Sequence, residues 1–482
     1  MNRGRYALLA VAAVFLAVNL VTASRYPSAW VDEVQFTDPA ANLALGHGFT
    51  SSVWIVQDST AFWAGNAPLY STVLSGWLRL FGFSPLAVRS FNYFLTVLLA
   101  ILFWEFLERR LHVRQTRWKL MAVALILCGH CIMFSFRMGR YDVMGMVIAV
   151  LAALAWSPSP SIYRAGALVL LGAAMPIAGL QLIPGALLFV MVITLFRRQE
   201  ALRPGLALLG GLVAGGLTLF LLFWSHGVWQ AFRASTSAVG VIGQSIVSKI
   251  AQLPRIYTAD KSGLLLLAAA ALLLIAGRRH LMKWQSSPLV FSVAFALLVP
   301  AALQCAAKYP LYYNWMVYLP LIAALAAYCD SEWDGVTRSL RIAVVALVAV
   351  ACLAGLPVRL VTIAANWTER DPAKLDSFVE SSLSPADSAV VDFKAYYPAK
   401  RTATSIFTPT YLGVMTPAEK RGITALLIRP DGLPAAIASI GGDWAVTGEA
   451  MPSPSTRIPP FLGMQEFRDE NYEVRLYRRR SP

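Results

Sequence analysis

Long apolar runs separated by short charged clusters fill the first three-quarters of the chain. Eleven of them, near 6–24, 86–107, 118–136, 141–156, 163–178, 180–196, 204–224, 263–277, 286–305, 312–329 and 341–361, are apolar enough to predict membrane-crossing helices. Crossing ~30 Å of hydrocarbon takes about twenty such residues, so the shorter runs lean on flanking aromatics or tilt less. The first run lacks a small-x-small cleavage site and is followed by further spans, so it reads as an anchor, not a signal peptide. Beyond residue 362 the pattern changes. Ala389–Phe393, Ile423–Ile428, Trp444–Thr447 and Tyr472–Tyr477 predict strands, and Asp371–Ser382 and Gly432–Ile440 predict helices, which makes 363–482 a small α/β domain.

Two further stretches lie outside the predicted spans. In 25–85, Asp38 as N-cap with Pro39 behind it predicts a helix stopping at Gly46 to Gly48, and a second helix runs from Pro68 to Phe81, ended by Gly82. Its Trp54, Phe62, Trp63, Tyr70, Trp77 and Phe81 suit helices lying in the headgroup layer. The other stretch, 225–262, is amphipathic and Ser-rich, and no solenoid repeat or low-complexity segment is evident.

Composition agrees: 57% of the 482 residues are hydrophobic and 14% charged, with mean hydropathy +0.59, which excludes an ordinary soluble protein. The net charge of +15 would suggest nucleic acid in a soluble chain, but residues 1–362 hold 27 basic and 12 acidic residues and 363–482 hold 14 of each. A basic excess scattered between apolar runs is the positive-inside pattern, so no nucleic-acid partner is expected. With the N-terminus cytoplasmic, Arg3, Arg5, Arg109, Arg110, Arg114, Arg117, Lys119, Arg164 and the later clusters up to Arg341 put sixteen basic residues inside, against nine on the opposite connections. An odd span count then places the C-terminal domain outside, on the periplasmic or extracellular side of an inner membrane. Cys128-Gly-His-Cys131 has metal-like spacing, but inside an apolar run with no second pair it reads as a buried small-residue stripe.

The chemistry is sought among the outward carboxylates of the membrane part: Asp32, Glu33, Asp38, Asp58, Asp142 and Asp260. Asp32-Glu33 follows the first span and Asp142 opens the fourth, at the same membrane surface. Acids near hydrocarbon are costly and mark function, although each also fits a first-turn role that complements a helix dipole. Arg137 and Arg140 run against the positive-inside bias, and a bound lipid phosphate would explain them; the alternative is an ion pair with Asp142 that holds the bundle. Lys308, beside Tyr309, Tyr312, Tyr313, Trp315 and Tyr318, is a third outer basic group, or else an interfacial lysine in an aromatic belt.

Val31-Asp32-Glu33-Val34-Gln35, then Asn42-Leu-Ala-Leu-Gly-His-Gly-Phe, Ala67-Pro68-Leu69-Tyr70, Leu80 to Arg89, and Arg137-Met-Gly-Arg140-Tyr-Asp142 occur in an order that resembles the GT-C membrane glycosyltransferases. Within them the chain is most similar to the group of protein O-mannosyltransferases and lipid A aminoarabinose and galacturonic acid transferases, over roughly residues 5–320. The resemblance implies a polytopic helical GT-C fold over 1–362 and a polyprenyl-phosphate-linked sugar donor used at the outer face. It also implies Asp32 as general base, with Asp142 assisting. Glu33 joins them as a candidate for acceptor or metal positioning; Arg137, Arg140 and Lys308 are the candidates for the donor phosphate; Tyr70, Tyr141, Tyr312 and Tyr313 are the candidate substrate contacts. A divalent cation, Mg or Mn, on Asp32 and Asp142 is a further possibility.

One departure stands out. Family members often carry a Lys or His just before the Pro-Pro-Leu-type motif, and here the stretch reads Gly65-Asn66-Ala67-Pro68-Leu69-Tyr70. The acceptor stays open among a lipid, a glycan and a protein hydroxyl. The alternative function is a transporter or flippase, disfavoured because few charges lie deep in the spans; Met175-Pro176 and Ile183-Pro184-Gly185 are its best helix breaks. Asn366-Trp-Thr368 is a formal sequon read as chance.

Overall fold

The computed structural model describes residues 3–239, 245–277, 287–306, 309–450 and 472–480. Every predicted apolar run falls on helix. Those that position the candidate site are α1 (Arg3–Val21), α2 (Val31–Leu45), α3 (Leu69–Phe81), α4 (Pro85–Arg109), α5 (Thr116–Cys128), α6 (His130–Arg137), α7 (Asp142–Ala155), α8 (Ile162–Ala178) and α9 (Leu182–Ser225). Among the described residues four helices are alone long and apolar enough to cross a membrane, and six if each sharply bent pair counts as one span. Leu170, Leu195 and Val213 face outward, as lipid-facing side chains do. The runs 180–196 and 204–224 are the two arms of α9, which bends where Arg197 leaves helical geometry (φ −146°, ψ 61°).

Two breaks lock together. The run 118–136 is interrupted at Gly129, whose extended backbone separates α5 from α6, and Arg338–Leu353 is separated from Leu356–Ala365 at Gly355. The two glycines meet: a Cβ on Gly355 would lie 1.9 Å from the Cys128 carbonyl oxygen and 2.6 Å from the His130 nitrogen. Backbone atoms cannot yield as a side chain does, so Gly355→Ala should destabilise the protein by at least the ~1–3 kcal/mol of an overpacked core. The readout is the thermal melt of the purified protein; an unchanged melt would show that the breaks do not need this contact.

The stretch 25–85 folds differently from expectation at its start. α2 begins at Val31, not at Asp38, and carries Pro39 in its interior, while its end at left-handed Gly46 matches the prediction. The acids Asp32 and Glu33 sit in its first turn, where they complement the helix dipole and relieve the helix of needing Asp38 as a cap. Trp54, Trp63 and Tyr70 do not line a headgroup layer. They are buried around Phe36, with ring centroids 6.1, 6.4 and 6.5 Å from it, and form the core of the loop.

The C-terminal part is a five-stranded sheet of order β2-β1-β3-β5-β4, built from β1 (Ser388–Val391), β2 (Ser405–Phe407), β3 (Ala425–Ile428), β4 (Trp444–Ala450) and β5 (Val474–Arg479). β1 pairs parallel with β2 and β3, and β5 pairs antiparallel with β3 and β4. The three-residue β2 and the helix Tyr396–Thr402 before it have no counterpart in the sequence reading. The sheet domain packs on the stretch 25–85: Thr410 Oγ1 donates to the Val53 carbonyl at 3.0 Å, and Ser59 Oγ to Glu419 at 2.8 Å. Asn366 is buried and donates to the Thr362 carbonyl.

Candidate functional site

The turn Met138-Gly139-Arg140-Tyr141 links α6 to α7 and lies directly on the first turn of α2. Gly139 makes this possible: its φ is +60°, and a Cβ there would stand 2.7 Å from Glu33 Cγ. Three successive carbonyls of the turn are held by side chains from three elements. Trp30 Nε1 donates to Met138 O at 3.1 Å, the Tyr70 hydroxyl to Gly139 O at 3.0 Å, and Asn92 Nδ2 to Arg140 O at 2.9 Å. A turn pinned at each residue fixes the direction in which Arg140 leaves it.

Arg140 joins the two acids. Its Nε donates to Asp142 Oδ2 at 2.7 Å and its Nη1 to Asp32 Oδ2, so carboxylates from α2 and α7 share one guanidinium. The Tyr312 ring stacks on that guanidinium with its centroid 3.5 Å away, and Tyr141 and Trp30 flank it. Arg140 and Asp142 are buried, whereas the Asp32 side chain is 24% exposed, which makes Asp32 the more open of the two acids. Asp142 Oδ1 is buried and turned toward the Trp315 indole without closing a hydrogen bond to it.

The remaining sequence candidates separate from this centre. Arg137 points the other way, into the end of α1, and its guanidinium donates to Asn19 Oδ1 (2.7 Å), Thr22 Oγ1 (3.0 Å), Thr22 O (2.8 Å) and Tyr26 O (2.8 Å). With a fifth bond from Nε to Tyr26 O at 3.2 Å they engage all its N–H groups, and the structure does not bring Arg137 together with Arg140 and the two acids. Glu33 is buried on a different face of α2 from Asp32, where Arg89 Nη2 donates to Oε2 at 2.8 Å and the Tyr397 hydroxyl to Oε1 at 2.7 Å. It ties the sheet domain to the helices and is not joined to the Arg140 centre. Tyr70 spends its hydroxyl on the Gly139 carbonyl, whereas Tyr141 and Tyr312 flank Arg140, and the Tyr141 hydroxyl lies 3.4 Å from that of Tyr313. Lys308 lies outside the described residues.

Sequence reasoning passed over the residues that hold α2 from below. Arg89 is buried inside α4, and a charge in an apolar helix is the signal that could have found it. Asp38, read from the sequence as an outward acid and a helix N-cap, receives the Tyr396 hydroxyl at 2.6 Å and Lys400 Nζ at 3.0 Å. Burial pushes the Tyr396 and Tyr397 hydroxyls well up, and the carboxylates they face push them further, so both stay protonated donors. Asp260 belongs to a separate region, where it receives Asn314 Nδ2 at 2.7 Å and caps the helix Lys261–Ala276. Among the described residues no group of three His, Cys, Asp or Glu could hold a metal ion.

No family model and no curated protein matches the chain. Similarity appears in structure. The crystal structure of ArnT from Cupriavidus metallidurans bound to undecaprenyl phosphate superposes with TM-score 0.61 at 13% identity, covering 99% of this chain and 98% of that one. Its apo form gives 0.61 at 12% identity. The chain has the GT-C fold. Arabinofuranosyltransferase AftD from Mycobacteria matches over all of this chain and 40% of its own length, with TM-score 0.51 at 15% identity. The GT-C fold and the long apolar helices together describe a multi-pass membrane protein.

Proposed function

We propose that the chain is an integral membrane glycosyltransferase that moves a sugar from a polyprenyl-phosphate donor to an acceptor hydroxyl. The observation that carries this reading is the convergence of Asp32 and Asp142, from separate helices, on Arg140, with Asp32 alone open to approach. The likeness to ArnT, whose structure holds undecaprenyl phosphate, supports the donor class. Asp32 takes the proton of the attacking hydroxyl, which bonds to the anomeric carbon as the bond to the phosphate oxygen breaks. Direct displacement inverts that carbon. Arg140 supplies positive charge to the departing phosphate by releasing one of its two carboxylates, and Asp142 keeps it in place.

No step passes through a metal in this reading. The guanidinium of Arg140 already sits between Asp32 and Asp142, and no third His, Cys, Asp or Glu joins them among the described residues. In this arrangement the chain crosses the membrane eleven times, with a cytoplasmic N-terminus and an extracytoplasmic sheet domain. The donor chain then lies in the outer leaflet beside the candidate site.

Arg140→Gln tests the phosphate role. Charge-assisted hydrogen bonds contribute about 1.5–3 kcal/mol each, so kcat/KM for a labelled polyprenyl-phosphate sugar in membranes should fall about 10- to 100-fold, with Arg140→Lys intermediate. Wild-type turnover by Arg140→Gln would remove the arginine from the reaction.

A further inference from the structure

At the end of the bundle opposite the candidate site, a crevice of about 700 Å³ opens between α4, α7 and α8. The length of α7 separates the two, about 21 Å at 1.5 Å per residue. Leu102, Leu151 and Leu171 form an apolar wall, and Arg109, Arg110 and Arg164 stand at its mouth. The charge there is unbalanced. Glu105, the one acid lining the crevice, pairs with Arg5 at 2.9 Å and Arg109 at 2.7 Å. Arg164 has no acidic partner among the described residues, and Arg110 spends its Nε and Nη2 on the Leu154 carbonyl, a neutral acceptor. Burial, and then the like charge of Arg164, push the Arg110 guanidinium down, as expected where two cations share a partly closed space. The N-terminus of the 17-residue α8, capped by Ser161, adds its positive dipole end at the same place.

We infer that this crevice binds an anionic phospholipid of the bilayer, with its phosphate between Arg110 and Arg164 and an acyl chain along the leucine wall. The three features fit one occupant: a wall apolar enough for a chain, an excess of guanidinium at one end only, and a volume within the ~300–1,000 Å³ of small-ligand sites. A soluble anion would leave the leucine wall uncovered, and a neutral lipid would leave the arginines uncompensated. The inference does not rest on glycosyl transfer.

The test is titration of the purified full chain in detergent with fluorescent phosphatidylglycerol, and in parallel with fluorescent phosphatidylcholine. Phosphatidylglycerol should bind at least ten-fold more tightly. At about 1 kcal/mol per arginine near an anionic lipid, Arg164→Gln should weaken it about five-fold and the Arg110→Gln, Arg164→Gln pair about thirty-fold. Arg164 is exposed, so its single substitution keeps the test valid if the pair fails to fold. Leu151→Trp, which fills the wall without touching charge, should also weaken binding. Equal binding of the two lipids, unchanged binding by Arg164→Gln, or displacement by millimolar inorganic phosphate would each overturn the inference.

Discussion

Asp32→Asn should lower kcat for sugar transfer by about 10²–10⁴-fold, the range that a positioned general base contributes, while the protein accumulates and melts as the wild type does. The geometry predicts this separation of activity from stability. Asn retains an oxygen that accepts the Arg140 Nη1–H, so the turn and α2 keep their contact. It also removes one of two carboxylates on a single guanidinium, leaving the buried Arg140–Asp142 pair balanced. What it loses is the capacity to take a proton at the one acid of the pair that is open to solvent. Asp142→Asn differs: it neutralises the buried partner, so a stability loss should accompany the loss of transfer. The measurement is transfer of labelled sugar from polyprenyl phosphate in proteoliposomes, beside a thermal melt of each variant. Transfer by Asp32→Asn within a few-fold of wild type would end the case for Asp32 as the base.

The helices were legible because hydropathy alone marks an apolar run, and Asp32, Asp142 and Arg140 were legible because charge at a span end is conspicuous. Direction was not. Arg137 and Arg140 are three residues apart, but Gly139 at positive φ reverses the chain between them, so one guanidinium enters the α1 end and the other the site. Asp32 and Glu33 are neighbours, but on a helix successive residues point about 100° apart, which sends one to Arg140 and the other to Arg89. Spacing shows that such residues are near one another and not which of them face each other. The pairing of α2 with Tyr396 and Tyr397 spans more than 350 residues of sequence, and no local pattern encodes it. Trp54, Trp63 and Tyr70 depart from the sequence reading because amphipathic rings suit a headgroup layer and a buried cluster equally well, and only the position of Phe36 decides between them.

That joint gives the second large effect. Arg89 and Glu33 are both buried, paired through two nitrogens, and the Tyr397 hydroxyl completes the carboxylate's hydrogen bonds. Arg89→Met keeps most of the side-chain bulk but leaves Glu33 charged without its counterion, a change that costs about 3–5 kcal/mol in a buried pair. Tyr397→Phe removes one donor from the same carboxylate and should cost about 1–3 kcal/mol. The double variant Arg89→Met, Glu33→Gln removes both charges, so it should recover most of the stability lost by Arg89→Met alone. Differential scanning fluorimetry of the three proteins gives the order of melting temperatures. Since Glu33 adjoins Asp32 in the first turn of α2, transfer should fall with stability in Arg89→Met and return in part in the double variant. If Arg89→Met melted with the wild type, the Glu33 carboxylate would have to be reached by water or another cation, and the rigid joint between the sheet domain and α2 would not exist.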